Sequence, residues 1–213
     1  MKKPARKNRG EQSTEPDGKG LPPTANRILR ASKRVLEKKG YSGFTWKAIS
    51  EEAGVNEALI SYYFGSKAGL LEAVVESLFA DTGIDPEQDA HPADDSSEVV
   101  HWLTQLQRRA SSNRRVNRMT YELVPHALRT KRLRTRFSDL YKLHRNFDAE
   151  CLESGKPKLD RKTIDSLAAL TVAVSEGLAM QLAVDPEDFD HDGAYAVWES
   201  MLLTYLDEAS RNH

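Results

Sequence analysis

The sequence predicts an all-α protein, on three observations. Apolar residues recur at steps of three and four through most of the chain. No segment sustains the two-residue alternation of a strand, and glycine, proline and capping residues fall between the apolar groups. A chain of 213 residues has material for one large or two small domains with a real core. Charge separates the parts: residues 1–80 hold 14 Lys and Arg against 9 Asp and Glu, while residues 81–213 hold 17 against 23, for a net charge of -1 overall. A basic first third beside an acidic remainder favours a polyanion as partner of the first third.

Residues 1–23 mix basic residues with Gly, Pro and Ser without a period and are expected to be a disordered basic arm. A first helix then runs from Thr24 to Lys39 on Ile28, Leu29, Val35 and Leu36, with Gly40 at its C-terminal cap. Thr45 caps a second helix, in which Trp46, Ile49 and Ala53 share a face and Gly54 marks the end. Asn56, only two residues on, caps a third. Two short helices joined by a turn containing glycine form the helix-turn-helix pattern, here within residues 24–70. A longer helix begins near Ser66 with Leu70, Leu71, Val74, Val75 and Leu78. Residues 81–95, with six carboxylates and two prolines, interrupt the helices. Periodicity returns at about 96–112, 116–128, 131–154, 160–184 and 188–210, so residues 71–213 are expected to form a second, larger helical domain.

The third helix, within VNEALISYYFGSKAGL, is too short and too polar on one side to build a core. With Ile60 inward, Tyr63 and Phe64 lie beside it, Ala58 and Tyr62 lie opposite, and Leu59 and Ser61 flank them. Small, hydroxylated and aromatic side chains on a helix led by its N-terminus suit the major groove of DNA.

From Arg27 to about Phe79 the chain resembles the TetR-type bacterial transcriptional regulators. The likeness is carried by Arg27, Ile28 and Leu29, Gly40 and Tyr41, Thr45, Ile49, the Ala53, Gly54, Val55 turn and the ISYYFGSKAGL ending at residues 60–70. It implies phosphate contacts from Thr45, Tyr63 and Lys67, and places Lys47, Glu57, Ala58, Ser61 and Tyr62 near base edges. With Asn56 at the helix start and Leu59 on its flank, these ten are the candidate DNA-binding residues. Glu57, Leu59 and Ser61 depart from the residues usual in the family, so the operator sequence does not follow by analogy.

The resemblance further implies a helical second domain that dimerises and encloses a small-molecule cavity. Candidates to line the cavity are Trp102, Leu106, Met119, Leu123, His126, Phe137, Tyr141, His144, Val174, Gly177 and Met180. Candidates for a four-helix dimer interface are Ala168, Val172, Leu178, Tyr195, Trp198, Met201, Leu202 and Tyr205. PHALR at 125–129 and RFSDLY at 136–141 look faintly like the choline-responsive, BetI-like subgroup. The helix from Ser66 to Ala80, shared by both domains, is the expected lever of a ligand-controlled repressor that binds a palindromic double-stranded operator. The arginine-rich residues 114–136 are expected to be a solvated face or a partner for the acidic 81–95 connector.

No Walker pattern, HExxH or cysteine pair is present, so a helical enzyme is disfavoured and neither metal nor cofactor is expected. A DNA-compacting protein would share the reading helix but need no cavity. Cys151 is alone, the first residues lack the apolar stretch of a signal peptide, and no run is apolar enough to suggest a membrane span. The expected place is the cytoplasm, with no membrane partner.

Overall fold

The computed structural model describes residues 20–84, 95–155 and 159–211, and among these every regular element is an α-helix. The helices are α1 Pro23–Lys39, α2 Trp46–Ala53, α3 Glu57–Phe64, α4 Lys67–Asp81, α5 Ser96–Ser111, α6 Arg114–Ala127, α7 Lys131–Ser154, α8 Arg161–Val184 and α9 His191–Arg211. The all-α expectation holds.

Side chains fix the starts of the short helices. Thr45, Asn56 and Ser66 each accept a hydrogen bond from the backbone N–H three residues ahead, at 3.2, 2.8 and 3.1 Å, satisfying donors that helix geometry leaves unpaired. Gly54 ends α2 in the left-handed conformation, φ 62° and ψ 42°, which a side chain disfavours and which lets α3 start two residues later. The turn is therefore written in capping chemistry, and its angle is set by burial of Ile49, Ala53 and Ile60 against α1 and α4.

The head, α1 to α3, is joined to the rest through α4, whose Leu70, Val74, Val75 and Leu78 are almost wholly buried. In the body, α7 is central, packed on α4, α5, α6 and α8, while α9 lies mainly against α5. One apolar cluster runs from Ile28 in the head to Leu206 in α9, so head and body share a core.

Three expectations need correction. α1 starts at Pro23, where a proline lacks only an N–H that the first turn would leave unpaired anyway, so the expected arm is shorter at its end; residues 1–19 lie outside the described residues. Most of the acidic connector, 85–94, also lies outside them, while Asp81 closes α4 and binds Lys33 at 2.7 Å. The arginine-rich segment is in part the solvated face expected, with Arg114, Arg118, Arg129 and Arg134 exposed, and in part pairs with α1 and α4: Arg115 with Glu37 at 3.2 Å, Arg132 with Glu72 at 2.7 Å and Arg136 with Glu76 at 3.1 Å. Finally, α8 is long and apolar enough to cross a membrane by length and composition, with a mean hydropathy of 1.7 over its most apolar 18 residues, of which 28% are buried. Such a helix, apolar all round, also arises where one face meets a core and another meets a protein partner.

Candidate nucleic-acid interface and internal cavity

On α3 the wheel divides as the sequence predicts. Ile60 is fully buried, Tyr63 and Phe64 are half-buried, and Glu57, Ala58, Ser61 and Tyr62 are exposed, Tyr62 by 80%. Lys47 and Thr45 at the start of α2 are also exposed, and Leu59 is half-buried. Asn56 spends its side-chain oxygen on the cap, so its contribution is to aim the helix. An exposed tyrosine edge-on to Tyr63, ring centroids 5.1 Å apart, gives the outer face a rigid apolar body with a polar tip.

Lys67 is the exception to a simple exposed-lysine reading. Its ammonium lies over the Tyr41 ring, 4.5 Å from the centroid, and near Phe44 at 5.7 Å, and this burial holds its pKa below the ordinary lysine value. Tyr41, which sequence reasoning did not select as a site residue, thereby positions Lys67. Tyr41 is itself gripped from the body: its backbone N–H donates to Glu122 Oε2 at 2.9 Å and its ring stacks on His126, centroids 3.4 Å apart and 18° from parallel. A β-carbon on the preceding Gly40 would come within 2.9 Å of the same carboxylate, so the close approach itself favours glycine, as does φ 65°.

The body contains a largely apolar cavity of about 70 Å³ between α4, α5, α6, α7 and α8. Phe79, Leu140, Phe147 and Val172 form apolar wall, and Gln107, Tyr121, Tyr141, His144, Asp148, Ser175 and Glu176 supply polar groups. Asp148 is wholly buried and receives Gln107 Nε2 at 2.7 Å; burial pushes its pKa up to about 8 despite that bond. Burial, aided by Arg145, depresses His144 to about 4 and keeps the ring neutral. Tyr141 donates to Glu176 at 2.9 Å. Burial raises the pKa of Glu176, and burial with that carboxylate raises Tyr141 and takes Tyr121 to about 12.

Of the eleven sequence candidates for the cavity, the structure brings Tyr141 and His144 to its wall. Met119 and Leu123 are fully buried in the core, and His126 is on Tyr41. Trp102 and Leu106 border an outer groove with Asp192, and Phe137 borders another with Val124. Val174, Gly177 and Met180 sit on the other side of α8, the last two exposed. A helix apolar on every face has no phase to read, so its rotation was misassigned. Glu176, the only charged residue in LAALTVAVSEGLAMQLAV, was the available signal; Asp148, one turn after His144, was another.

The same misphasing affects the interface candidates. Ala168, Val172, Tyr195 and Leu202 are buried within the subunit, Val172 at the cavity and Tyr195 donating to Ser111 at 3.0 Å, so they are not part of an outer face. Leu178 and Trp198 are half-buried, and Met201 and Tyr205 are exposed. They adjoin exposed Leu170, Met180, Val184 and Val197, giving α8 and α9 a broad apolar surface.

A helix-turn-helix head on a helical body with a largely apolar internal cavity is the arrangement of a DNA-binding regulator. Residues 28–74 match the bacterial regulatory proteins of the tetR family, and residues 92–207 match the C-terminal part of BetI-type transcriptional repressors. The chain belongs to the TetR family and carries a BetI-type C-terminal domain. Over 61 residues it is 44% identical to YvkB, an uncharacterized HTH-type transcriptional regulator of Bacillus subtilis, covering 29% of this chain and 32% of that one. It is 40% identical over 57 residues to the HTH-type transcriptional repressor NicS of Pseudomonas putida, 27% of each. With the regulator BetI 2 of Chromohalobacter salexigens it shares 31% over 74 residues, 35% and 36% of the two chains. These matches span about a third of the relatives' length. In fold it is similar to a transcriptional regulator of Pseudomonas aeruginosa, TM-score 0.73 at 14% identity, covering 91% of this chain and 96% of that one. It is also similar to one from Saccharomonospora viridis solved in complex with choline, TM-score 0.63 at 21% identity, covering 86% and 93%. At such identities the likeness shows the fold.

Proposed function

We propose that the protein is a cytoplasmic, homodimeric repressor that grips a palindromic operator through α3 and is released when a small molecule enters the body cavity. The observation that carries this reading is α6. Its Asn117, Thr120 and Tyr121 line the cavity, while its Glu122 and His126 hold Tyr41, which packs on Lys67. A ligand that moves α6 therefore acts on the head directly, beside the lever expected in α4. The BetI-type match and the repressor NicS support repression, and the cavity favours an effector-controlled regulator over a DNA-compacting protein.

To release DNA a hundredfold, the effector must prefer the non-binding state by about 2.7 kcal/mol. Two heads related by a two-fold axis would read half-sites about one helical turn, roughly 34–36 Å, apart. The test is to select bound fragments from the source genome with the purified protein and to measure their binding by gel shift across a range of salt. A palindromic consensus, with binding lost on adding an effector, is expected; indifference to every duplex at low ionic strength overturns the reading.

A further inference from the structure

Three residues that line the cavity each carry a buried polar atom with no hydrogen-bond partner among the described residues: Asp148 Oδ2, His144 Nε2 and Tyr121 Oη. Asp148 is wholly buried, its other oxygen receives only the neutral amide of Gln107, and neither lysine nor arginine lines the space, so nothing there offsets a negative charge. The acid therefore keeps its proton at neutral pH, in line with its raised pKa. Because Oδ1 accepts from Gln107, that proton belongs on Oδ2, which makes the free oxygen a donor. Tyr121 Oη donates or accepts, and the neutral His144 ring does either at Nε2 according to its tautomer. The three free groups are thus uncharged and serve both roles between them. The other carboxyl, Glu176, already takes the Tyr141 hydroxyl at 2.9 Å.

Resting on the effector reading above, we infer that the effector is a small uncharged molecule with an oxygen acceptor in its head and an apolar body. The head takes the Asp148 O–H and meets Tyr121 and His144, and the body lies against Phe79, Leu140 and Phe147. An anion would enter beside two carboxyl groups with no cation to receive it. A cation would have to drive the proton from Asp148, against the burial that holds it, or displace Tyr141 from Glu176. Either ion also forfeits its hydration in a largely apolar space, a greater loss than a neutral head suffers. A cavity of about 70 Å³ admits only a compact molecule.

The probe is a set of three molecules of one shape and different charge: propionamide, sodium propionate and propionamidine hydrochloride, titrated into the full-length protein at neutral pH and matched ionic strength by ligand-observed NMR and by thermal shift. The uncharged amide is expected to bind at least about tenfold more tightly than either ion. Asp148→Leu should lose that affinity by about tenfold, and a cooperative melt shows that the variant folds. Asp148→Asn should restore it, since this amide keeps a donor in place of the acid O–H and an acceptor for Gln107. If the leucine variant does not fold, the wild-type series and Asp148→Asn decide. Amidinium or propionate binding as tightly as the amide overturns the proposal, and so does loss of amide binding in Asp148→Asn or silence from all three at tens of millimolar. Release of operator by some other molecule would then leave the repressor reading standing, whereas amide binding without any DNA binding would strike that reading and spare this one.

Discussion

Asp148 shows how one residue ties the cavity to stability. An acid held at about 8 instead of 3.8 binds its proton more tightly in the folded than in the unfolded chain. Its contribution is intact below about pH 4 and is lost as pH rises through about 8. Asp148→Asn, which cannot ionise, should therefore gain on the wild type between pH 5 and pH 8 by at least about 1 kcal/mol, or about 2–4 °C in Tm. Melting curves of both proteins across that range check it; a constant difference would mean the carboxyl is already ionised when folded. On the head, Lys67→Ala should weaken binding to all duplexes and lower the slope of log K against log salt by about one. Tyr62→Ala should instead change which sequences bind, by about 1–3 kcal/mol at the position it meets. Tyr62 was legible from the wheel alone; the seat of Lys67 on Tyr41 was not, because that contact spans 26 residues and depends on how α4 meets the loop after α1.

At the scale of elements, α6 lines the cavity with Asn117, Thr120 and Tyr121 and holds the head through Glu122 and His126. Glu122→Ala removes the acceptor of the Tyr41 N–H and relaxes the grip beside Gly40. The expected outcome is a protein that still binds operator and effector separately but whose operator affinity responds less than the wild type to saturating effector. Gel shifts with and without effector measure this, and an unchanged response would return the coupling to α4 alone. The short helices were readable because their caps are local: Thr45, Asn56 and Ser66 each act over three residues. α8 existed in the sequence equally clearly, as an apolar run, yet its orientation was hidden, since turning it costs no exposed charge except at Glu176.

For the molecule as a whole, the apolar skin of α8 and α9 asks for a cover. Met201→Glu with Tyr205→Glu places charges on exposed positions, so the expected result is a folded monomer by analytical ultracentrifugation with much weaker operator binding. Leu202→Glu is the contrast: that side chain is 2% exposed, and its loss should unfold the body. A wild-type monomer at micromolar concentration would remove the dimer from the mechanism.

The sequence by itself determined the helices, their caps, the turn after Gly54 and the outward side of α3, because each rests on interactions a few residues long and on a period of 3.6. Tertiary structure alone decided which side of α8 meets the cavity, that Asp148 and Glu176 share it, and that α6 holds Tyr41. Those facts depend on how helices rotate against one another, which neither periodicity nor capping specifies.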